Sequence, residues 1–395
     1  MAYAALGSVR DEWIGLFREW ARGSATYDIG PEVCAWVKKM KIQEAEAIAE
    51  DSMHLACLGP LWRLKGAMAK DLAATVQHAL STEVMEFAEG LLAKEADASS
   101  LVLTGGCALN VRLNEDLRTV EKLAVHVASA PNDGGLPLGA VWALYPPNRE
   151  DARQSTAYIG PALFDLHDLA RLASERQARH VSLADTAALL ASGKLLALIR
   201  GRTEYGPRAL GHRSLVGFAG APDLKQRMNR LKGRAWYRPV APVVPLEQVH
   251  KFFVIEPGDV PLQCISSAKG DRLTFARCQT HSTAVPRAPA GGFSSPYMSF
   301  APPLQPWAME RFDAITHLDG TGRVQTVSAD DCPWFHSLLI ELEKLTGAAI
   351  LANTSCNVRG EPIVNSIADV LKILDDQVTP DLDAAVVENF VFERS

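Results

Sequence analysis

The chain has 395 residues, 48% of them apolar, so it is long enough for two hydrophobic cores, and two domains are expected. Its net charge of −6 argues against a nucleic-acid partner, and its seven scattered cysteines form no C-x-x-C pair, which argues against a disulfide framework or a zinc site. No apolar run approaches the ~20 residues that span a bilayer, so we expect a cytoplasmic protein without export signal or membrane anchor.

Residues 12–95 are predicted to be mostly helical. The clearest helix carries apolar residues at spacings of three and four, opposite a polar face. We assign this stripe to core packing and to no chemistry. Its members are Leu72, Val76, Leu80, Val84, Phe87 and Leu91.

Two units follow in which a short apolar strand ends at glycines and a helix begins. The first has a strand over 100–103 and a helix over 108–120, and the second has a strand over 123–129 and an apolar helix through Leu144. The turn after the first strand directs backbone N–H groups toward a helix N-terminus, which favours a nucleotide or another anion. Asp133, in the second turn, is either an Asx turn or helix cap or a ligand-binding residue.

A proline-rich and then charged stretch, residues 145–155, is predicted to link the two domains. Residues 256–306 are rich in proline, glycine and serine, and are predicted to form loops around a β core. The other predicted elements of the second domain are a helix over 184–192, a strand over 194–200, a helix over 335–345 and a strand over 348–352.

The segment 205–214 places Arg208 and Arg213 five residues apart in a turn that contains Gly206 and Gly211. Glycine adopts the positive φ that lets backbone approach a ligand, and guanidinium matches phosphate oxygens bidentately, so the turn is predicted to clamp a polyanion. For the cations that follow directly, a solvated basic helix is the alternative. The nearby cations are Lys225, Arg227, Arg230, Lys232, Arg234 and Arg238.

Small hydrogen-bonding side chains and another arginine occupy residues 353–360. Together with the arginine turn, they suit two phosphorylated ligands: guanidinium groups neutralise phosphate, while amides and hydroxyls hold a small polar group. No Ser-His-Asp spacing, H-x-x-x-H pair or Walker loop is present. The sequence therefore predicts catalysis by charge neutralisation and positioning rather than by a covalent nucleophile.

Seven motifs, in the same order, resemble those of the NodU/CmcH family of ATP-dependent O-carbamoyltransferases. They are Thr104–Asn110, Asn132–Gly134 with Leu138–Ala140, Tyr205–Ser214, Asn229–Arg234 with Tyr237–Pro242, Ser295–Met298, His317–Thr326 and Asn353–Val364. The resemblance implies an α/β fold class: the C-terminal lobe of an actin-like ATPase domain at residues 1–150, followed by a YrdC-like domain at residues 151–395. It implies that the second domain forms carbamoyl adenylate from carbamoyl phosphate and ATP, and that the first transfers the carbamoyl group to a small-molecule hydroxyl or amine of a natural product.

The resemblance also implies site residues. Residues matching the carbamoyl phosphate and ATP phosphate ligands or the catalytic groups are Arg208, His212, Arg213, Lys232, Arg234, Arg323, Asn353, Ser355 and Arg359; for His212, a turn hydrogen bond is the alternative. Residues matching the adenylate pocket are Gly105, Gly106, Asn110, Asn114, Asp133 and Gly134, and Asp133 also matches a metal ligand. The implied cofactors are ATP and Mg²⁺, with Fe²⁺ or another divalent metal if a partner lobe supplies histidines.

The chain departs from the family pattern at its start. The segment 1–7 resembles one that family members carry well inside the chain, so the first lobe and its H-x-x-x-H pair are expected to be absent. His54, His78 and His126 do not restore that pair. A separate lobe-donating subunit, a homodimer, acceptor binding at the second domain or a truncated reading frame would each account for this. Cys356, where the family usually has Phe, is interpreted as a packing residue.

Two other functions stay open on the sequence alone. One is a nucleotide-binding partner subunit of a split carbamoyltransferase, which the complete set of phosphate ligands disfavours. The other is threonylcarbamoyl-type transfer to tRNA, which the acidic balance of the chain disfavours.

Overall fold

The structure is a computed structural model that describes residues 4–23, 66–95, 98, 100–118, 124–148, 155–255, 293–378 and 380–394. The chain divides into two compact units, residues 1–97 and 98–395. His54 and most of the predicted loop region 256–306 lie outside the described residues. The helices described in the first unit are α1 (Asp11–Gly23) and α2 (Gly66–Leu92).

The second unit contains the β-sheets. Its strands are β1 (Ser100–Leu103), β2 (Ala124–Val127), β3 (Arg179–His180), β4 (Leu196–Ile199), β5 (Arg213–Phe218), β6 (Ala241–Pro245), β7 (Gln325–Val327), β8 (Leu351–Ser355), β9 (Ala384–Val387) and β10 (Phe390–Glu393). Its helices are α3 (Val111–Arg118), α4 (Leu136–Leu144), α5 (Leu169–Glu175), α6 (Leu183–Ala191), α7 (Leu224–Leu231), α8 (Val249–Phe252), α9 (Pro306–Arg311), α10 (Pro333–Thr346) and α11 (Ile367–Leu374).

Most predicted elements lie within two or three residues of their observed bounds, but the first unit corrects the interpretation of its apolar stripe. On α2 the residues that are buried are largely small, including Ala74, Ala79 and Ala88. Phe87 is 67% exposed and Leu91 is 41% exposed. Leu72 of the stripe is buried and Leu80 and Val84 are partly buried, so the prediction of core packing holds for these members and is wrong for Val76, Phe87 and Leu91.

The main sheet has eight strands in the order β3-β10-β9-β4-β5-β8-β6-β7. Only two neighbouring pairs, β4–β9 and β6–β7, are parallel. Residue pairing places Ser214 opposite Ser355 and Ala241 opposite Asn353, while Val243 pairs with Gln325. Four adjacent strands therefore reach one edge of the sheet together: β5, β6 and β7 begin there, and β8 ends there.

Helices cover both faces of this sheet, which explains its nearly continuous apolar strands. On one face α6 and α10 pack together and bury a cluster that includes Phe335 and Leu339. On the other face α7 and α11 contribute Met228 and Val370 to a larger cluster. The result is a mixed α/β sheet in three layers, and its core fixes the strand ends at the edge described above.

Residues 98–148 belong to the second unit and pack against it through polar contacts. β1 and β2 form a separate parallel pair. The Asn114 amide donates hydrogen bonds to the carbonyls of Ala108 and Ser299 at 2.8 and 2.9 Å, and the Tyr205 hydroxyl donates to the Gly134 carbonyl at 2.6 Å. The domain boundary near residue 150 stays a prediction.

Two glycines of the arginine turn have the predicted positive φ, at 120° for Gly206 and 116° for Gly211. Their environment differs from the expectation that they let backbone approach a ligand. A Cβ at Gly206 would lie 2.2 Å from the Ser129 carbonyl oxygen, and one at Gly211 would lie 2.6 Å from the Phe335 ring. Both positions therefore exclude a side chain because the turn packs closely on its own protein.

Within the described residues, no helix combines the length and the apolarity that crossing a bilayer requires.

We expect Gly211→Ala to lower the free energy of unfolding by about 3 kcal/mol, because an unfavourable φ adds to a clash with the buried Phe335 ring. Gly347→Ala is the matched control: its φ is also positive, at 76°, but its Cβ would meet nothing within 4 Å, so about 1 kcal/mol is expected. Urea denaturation followed by circular dichroism measures both values. Equal losses would show that the Phe335 contact adds no constraint.

Candidate functional site

Four cationic side chains come together where β5, β6 and β7 begin: Arg208, Lys232, Arg234 and Arg323. Arg208 precedes β5, Lys232 and Arg234 follow α7, and Arg323 precedes β7. Burial lowers the pKa of each of the four. In the part of the chain that the structure describes, none of them forms an ion pair with a carboxylate, so the site carries uncompensated positive charge.

Lys232 is held by oxygen atoms at the end of β8. Its ammonium donates hydrogen bonds to the Ser355 carbonyl at 2.7 Å, to the Ser355 hydroxyl at 2.9 Å and to the Asn357 side-chain oxygen. Burial, with repulsion from Arg234, lowers the pKa of Lys232 to about 8. The three neutral acceptors fix the position of the ammonium without neutralising its charge.

Arg234 is positioned by Asn229, a buried residue of α7. The Arg234 Nε donates to the Asn229 side-chain oxygen at 2.5 Å, while the Asn229 amide donates to the carbonyls of Trp236 and Arg238. The second nitrogen of the Arg234 fork, Nη2, is buried and has no described partner. Burial and Arg238 lower the pKa of Arg234 to about 10, so a donor is ready for an incoming anion.

Arg323 is repelled by two other guanidinium groups of the cluster. Burial lowers its pKa to about 9, and repulsion from Arg208 and Arg234 contributes. No described residue accepts a hydrogen bond from its guanidinium. The fold therefore holds three guanidinium groups close enough to repel one another, an arrangement that a bound polyanion would relieve.

Two buried amide side chains, Asn353 of β8 and Gln325 of β7, hold the backbone of the arginine turn. The Asn353 amide donates to the Ala209 carbonyl and to the Gln325 side-chain oxygen, both at 3.0 Å, and the Gln325 amide donates to the Leu210 carbonyl at 2.8 Å. The side-chain oxygen of Asn353 is buried and has no described partner. It is thus an acceptor available to a small N–H donor.

His212 and Arg213 have different surroundings from the four clustered cations. Arg213 is fully buried, and its guanidinium donates to the carbonyls of Arg200, Gly201 and His212. The His212 ring stacks on Tyr158 with 4.0 Å between centroids, and its Nδ1 lies 2.7 Å from the Arg202 carbonyl oxygen. These contacts favour a structural role, and the turn hydrogen bond is the alternative that fits His212. Catalysis by either residue stays a prediction.

Arg359 is exposed and lies beside Gly233. Its side-chain carbons lie across Gly233, since a Cβ there would be 3.1 Å from Arg359 Cδ. Arg359 is close to the loop that carries Lys232 and Arg234, and its role as an anion ligand stays a prediction.

The predicted nucleotide turn lies near Arg208. Gly105 has a φ of 89°, and a Cβ at Gly105 or Gly106 would meet nothing within 4 Å, so this backbone is open to a ligand. Arg208 Nη2 makes a long hydrogen bond of 3.4 Å to the Leu109 carbonyl. A cavity of about 10 Å³, enough for one water-sized group, is lined by Leu109, Arg208 and Ser299 among others.

Some of the remaining residues of this predicted pocket make contacts within the protein, and others are exposed to solvent. The Asn110 side-chain oxygen accepts from the Leu113 N–H at 3.2 Å at the start of α3, and Asn114 is fully buried. Asp133 and Gly134 are exposed. The described residues contain no group of three His, Cys, Asp or Glu side chains able to hold a metal, and the role of Asp133 as a metal ligand stays a prediction.

Sequence reasoning missed four residues that hold the ligand groups in place: Asn229, His317, Gln325 and Asn357. All four lie within the motifs quoted above, but none carries the charge that drew attention to the arginines. The side chains of Asn357 and Gln325 bind groups distant in sequence, and those of Asn229 and His317 bind backbone groups. A buried amide beside a predicted ligand was the available signal.

Two family models match the chain. Residues 187–394 match the model described as the carbamoyltransferase C-terminus, and residues 1–142 match the model described as the carbamoyltransferase N-terminus. The expectation that the N-terminal part is lacking is therefore wrong: the match shows that the N-terminal domain is present in residues 1–142.

Curated relatives include nodulation protein U of Rhizobium tropici, 29% identical over 91% of this chain and 56% of that protein. Nodulation protein U of Rhizobium fredii is 32% identical over 69% of this chain and 40% of that protein. Nodulation protein NolNO of Sinorhizobium fredii is 30% identical over 82% of this chain and 44% of that protein. The chain thus aligns with about half the length of the curated relatives it matches.

We expect the affinity of the cation cluster for inorganic pyrophosphate to fall above pH 8, because Lys232 loses its proton there rather than near 10.5. If only the protonated form binds, the dissociation constant rises by up to about tenfold per pH unit above that value. Isothermal titration calorimetry between pH 7 and 9.5 measures this change.

Lys232→Arg is the matched variant, because the ordinary pKa of a guanidinium lies about two units above that of an ammonium, so the same surroundings leave it protonated to a higher pH. Its pH dependence should be shallower than that of the wild type, whatever its absolute affinity. The same slope in both proteins would mean that Lys232 does not carry the effect.

Proposed function

The chain belongs to the carbamoyltransferase family, and on that premise we propose that it transfers the carbamoyl group of carbamoyl phosphate, through carbamoyl adenylate made with ATP, to a hydroxyl or amine of a small molecule. We propose in addition that residues 1–150 form part of an actin-like transfer domain and that residues 151–395 form a YrdC-like adenylate-forming domain. The mixed sheet of the second unit and the family assignment support this division.

One observation carries the proposal: four cationic side chains share a partly buried site without a described carboxylate partner. Burying like charges together is costly, because desolvation and mutual repulsion both act against it. A protein that maintains such a site gains from it when a ligand of high negative charge binds. Carbamoyl phosphate and the triphosphate of ATP together have that charge.

The atoms of the proposed reaction balance as follows. Water displaces phosphate from carbamoyl phosphate and leaves carbamate, and a carbamate oxygen then attacks the α-phosphorus of ATP and expels pyrophosphate. The acceptor oxygen or nitrogen next attacks the carbamoyl carbon and loses its proton to solvent, and AMP leaves. Phosphate and pyrophosphate are both anions whose charge grows as they depart, so the guanidinium groups of Arg208, Arg234 and Arg323 would stabilise both departures.

The neutral groups have separate parts in this proposal. The unpartnered oxygen of Asn353 would accept an N–H of the carbamoyl group. The Lys232 ammonium, fixed by Ser355 and Asn357, would bind a phosphate oxygen. The open backbone at Gly105 would accommodate the adenylate, and Mg²⁺ would enter bound to the phosphates of ATP.

A covalent route through Cys356 is disfavoured by its surroundings. The thiol is fully buried in the core, and burial raises its pKa to about 12. A thiol that stays protonated at neutral pH is a poor nucleophile. Its interpretation as a packing residue fits the structure.

We expect this chain to release pyrophosphate from ATP and Mg²⁺ only when carbamoyl phosphate is present. Arg208→Ala and Arg323→Ala should each lower that rate by about 100-fold, because each removes a charge-assisted contact in a site of low dielectric. Coupled detection of pyrophosphate measures the rate.

Arg311→Ala is the control, since Arg311 lies on α9 and donates only to the Thr346 carbonyl at 2.9 Å among the described residues. Its rate should equal that of the wild type. If the wild type binds ATP without releasing pyrophosphate, the chain is a nucleotide-binding subunit rather than an enzyme by itself.

We expect carbamoyl phosphate to be preferred strongly over acetyl phosphate, in which a methyl group replaces the NH₂. A site that hydrogen-bonds a substrate N–H leaves its own acceptor unpaired with such an analogue and rejects it by roughly 100-fold or more. The ratio of kcat/KM for the two acyl phosphates in pyrophosphate release measures this preference. In Asn353→Ala, which removes the free acceptor, the ratio should approach one; an unchanged ratio would assign carbamoyl recognition to another group.

A further inference from the structure

The loop that leads into β7 connects Arg323 to a chain of hydrogen bonds through His317. The Arg323 backbone N–H donates to His317 Nε2 at 3.3 Å. On the other side of the ring, His317 Nδ1 lies 2.9 Å from the Thr321 hydroxyl oxygen, which in turn lies 2.7 Å from the Asp319 carboxylate. The backbone of Arg323, whose guanidinium belongs to the cation cluster, is thus hydrogen-bonded to the His317 imidazole.

The partners fix the form of this ring. Asp319 only accepts, so the Thr321 hydroxyl donates its one proton to the carboxylate and accepts from His317 Nδ1–H. That tautomer leaves Nε2 unprotonated and able to accept the Arg323 N–H. Every donor in this series of hydrogen bonds then has one acceptor. A doubly protonated His317 ring would instead direct its Nε2–H against the backbone N–H of Arg323.

The rest of the loop is rigid around this arrangement. The His317 N–H donates to the Thr321 carbonyl at 2.8 Å, and the Gly320 N–H donates to the His317 carbonyl at 3.0 Å. Gly320 has a φ of 78°, and a Cβ at Gly322 would lie 2.9 Å from Leu304. The imidazole therefore has little freedom to move away from Arg323.

The charges that face His317 come from its own loop and from one helix. Asp319 and Arg323 belong to its own loop, and Lys225 reaches it from α7. Burial, with repulsion from the two cations, outweighs attraction by Asp319 and lowers the pKa of His317 to about 4. At neutral pH the ring stays uncharged, as its hydrogen bonds require.

We propose that His317 is a positioning residue for the anion site: its neutral imidazole holds the backbone of Arg323 so that the guanidinium enters the cluster against the repulsion of Arg208 and Arg234. The inference deepens the proposed function and rests on its anion site. Without that anchor, the cheapest response of Arg323 is to swing away from the other two guanidinium groups toward solvent, and the site loses one charge.

The test is calorimetric titration with inorganic pyrophosphate, because anion binding is measured without any carbamoyl chemistry. His317→Ala should weaken binding by about tenfold, since the ordering of Arg323 is lost although the guanidinium remains. His317→Gln places an amide oxygen near the Nε2 position and should restore affinity to within about threefold of the wild type. His317→Asn, whose shorter amide reaches Thr321 but not Arg323, should behave like His317→Ala.

A double-mutant cycle separates positioning from a general structural effect. In an Arg323→Ala background, His317→Ala should cause no further loss, because its effect acts through the missing guanidinium. His250→Ala, at an exposed histidine, serves as the control and should bind as the wild type does. An undiminished His317→Ala effect in the double variant, or a single variant that binds like the wild type, overturns the proposal.

Three further outcomes also have a defined meaning. If His317→Ala does not fold, Thr321→Val removes only the hydroxyl that orients the ring, and about threefold weaker binding is expected, whereas no change refutes the positioning role. If the cycle behaves as described but no pyrophosphate is released from ATP, the positioning role stands and the proposed function fails. If the wild type binds no pyrophosphate, both fall.

Discussion

The mutual repulsion of cations in a partly buried site is the constraint on which the arrangement of this protein depends. Arg208, Lys232, Arg234 and Arg323 each lose hydration, and each lies in the field of like charges. No described carboxylate compensates them, so the fold must hold them in place mechanically. The contacts around them are mostly to neutral oxygens and backbone groups, which restrain position while leaving the positive potential intact.

The sheet supplies the mechanical restraint. The four cations come from separate connections, but the strands β5, β8, β6 and β7 are neighbours and bring those connections to one edge. Helices on both faces bury the strands completely, so their ends cannot drift apart without opening a core. Asn229, Gln325 and His317 then adjust individual cations or their loops within that frame.

The sequence predicts a feature of the fold or site when neighbouring residues determine that feature. It does not predict features that three-dimensional packing or strand pairing determines. The positive φ of Gly206 and Gly211 is predictable because both residues are glycine, and Arg208 beside them predicts an anion site. Arg213 looks equivalent in sequence, yet it lies in a central strand and its guanidinium binds backbone carbonyls, an outcome that depends on how β4 and β5 pair. Strand β8 begins three residues later than predicted because cross-strand partners, not apolar character, decide where a strand ends.

The same limit applies to helix faces and to whole domains. On α2, spacing marks six large residues, of which Leu72 is buried while Phe87 and Leu91 are exposed. The segment 1–7 does not identify the N-terminal domain, whereas a comparison over residues 1–142 does. Amides such as Asn353 carry no charge pattern, so only three-dimensional proximity to Gln325 and Ala209 reveals the free acceptor.

The contact between Gly211 and Phe335 has a consequence for how this protein can change over evolutionary time. The anion-binding turn and the aromatic side chain of α10 occupy one shared space, although 124 positions separate them in the sequence. A larger residue at 211 is accessible only to a lineage that has first reduced the ring at 335, and the intermediate then carries a cavity in the core. The two positions are therefore expected to be inherited as a pair, which makes a buried ring remote from the ligands part of the heritable definition of the anion site.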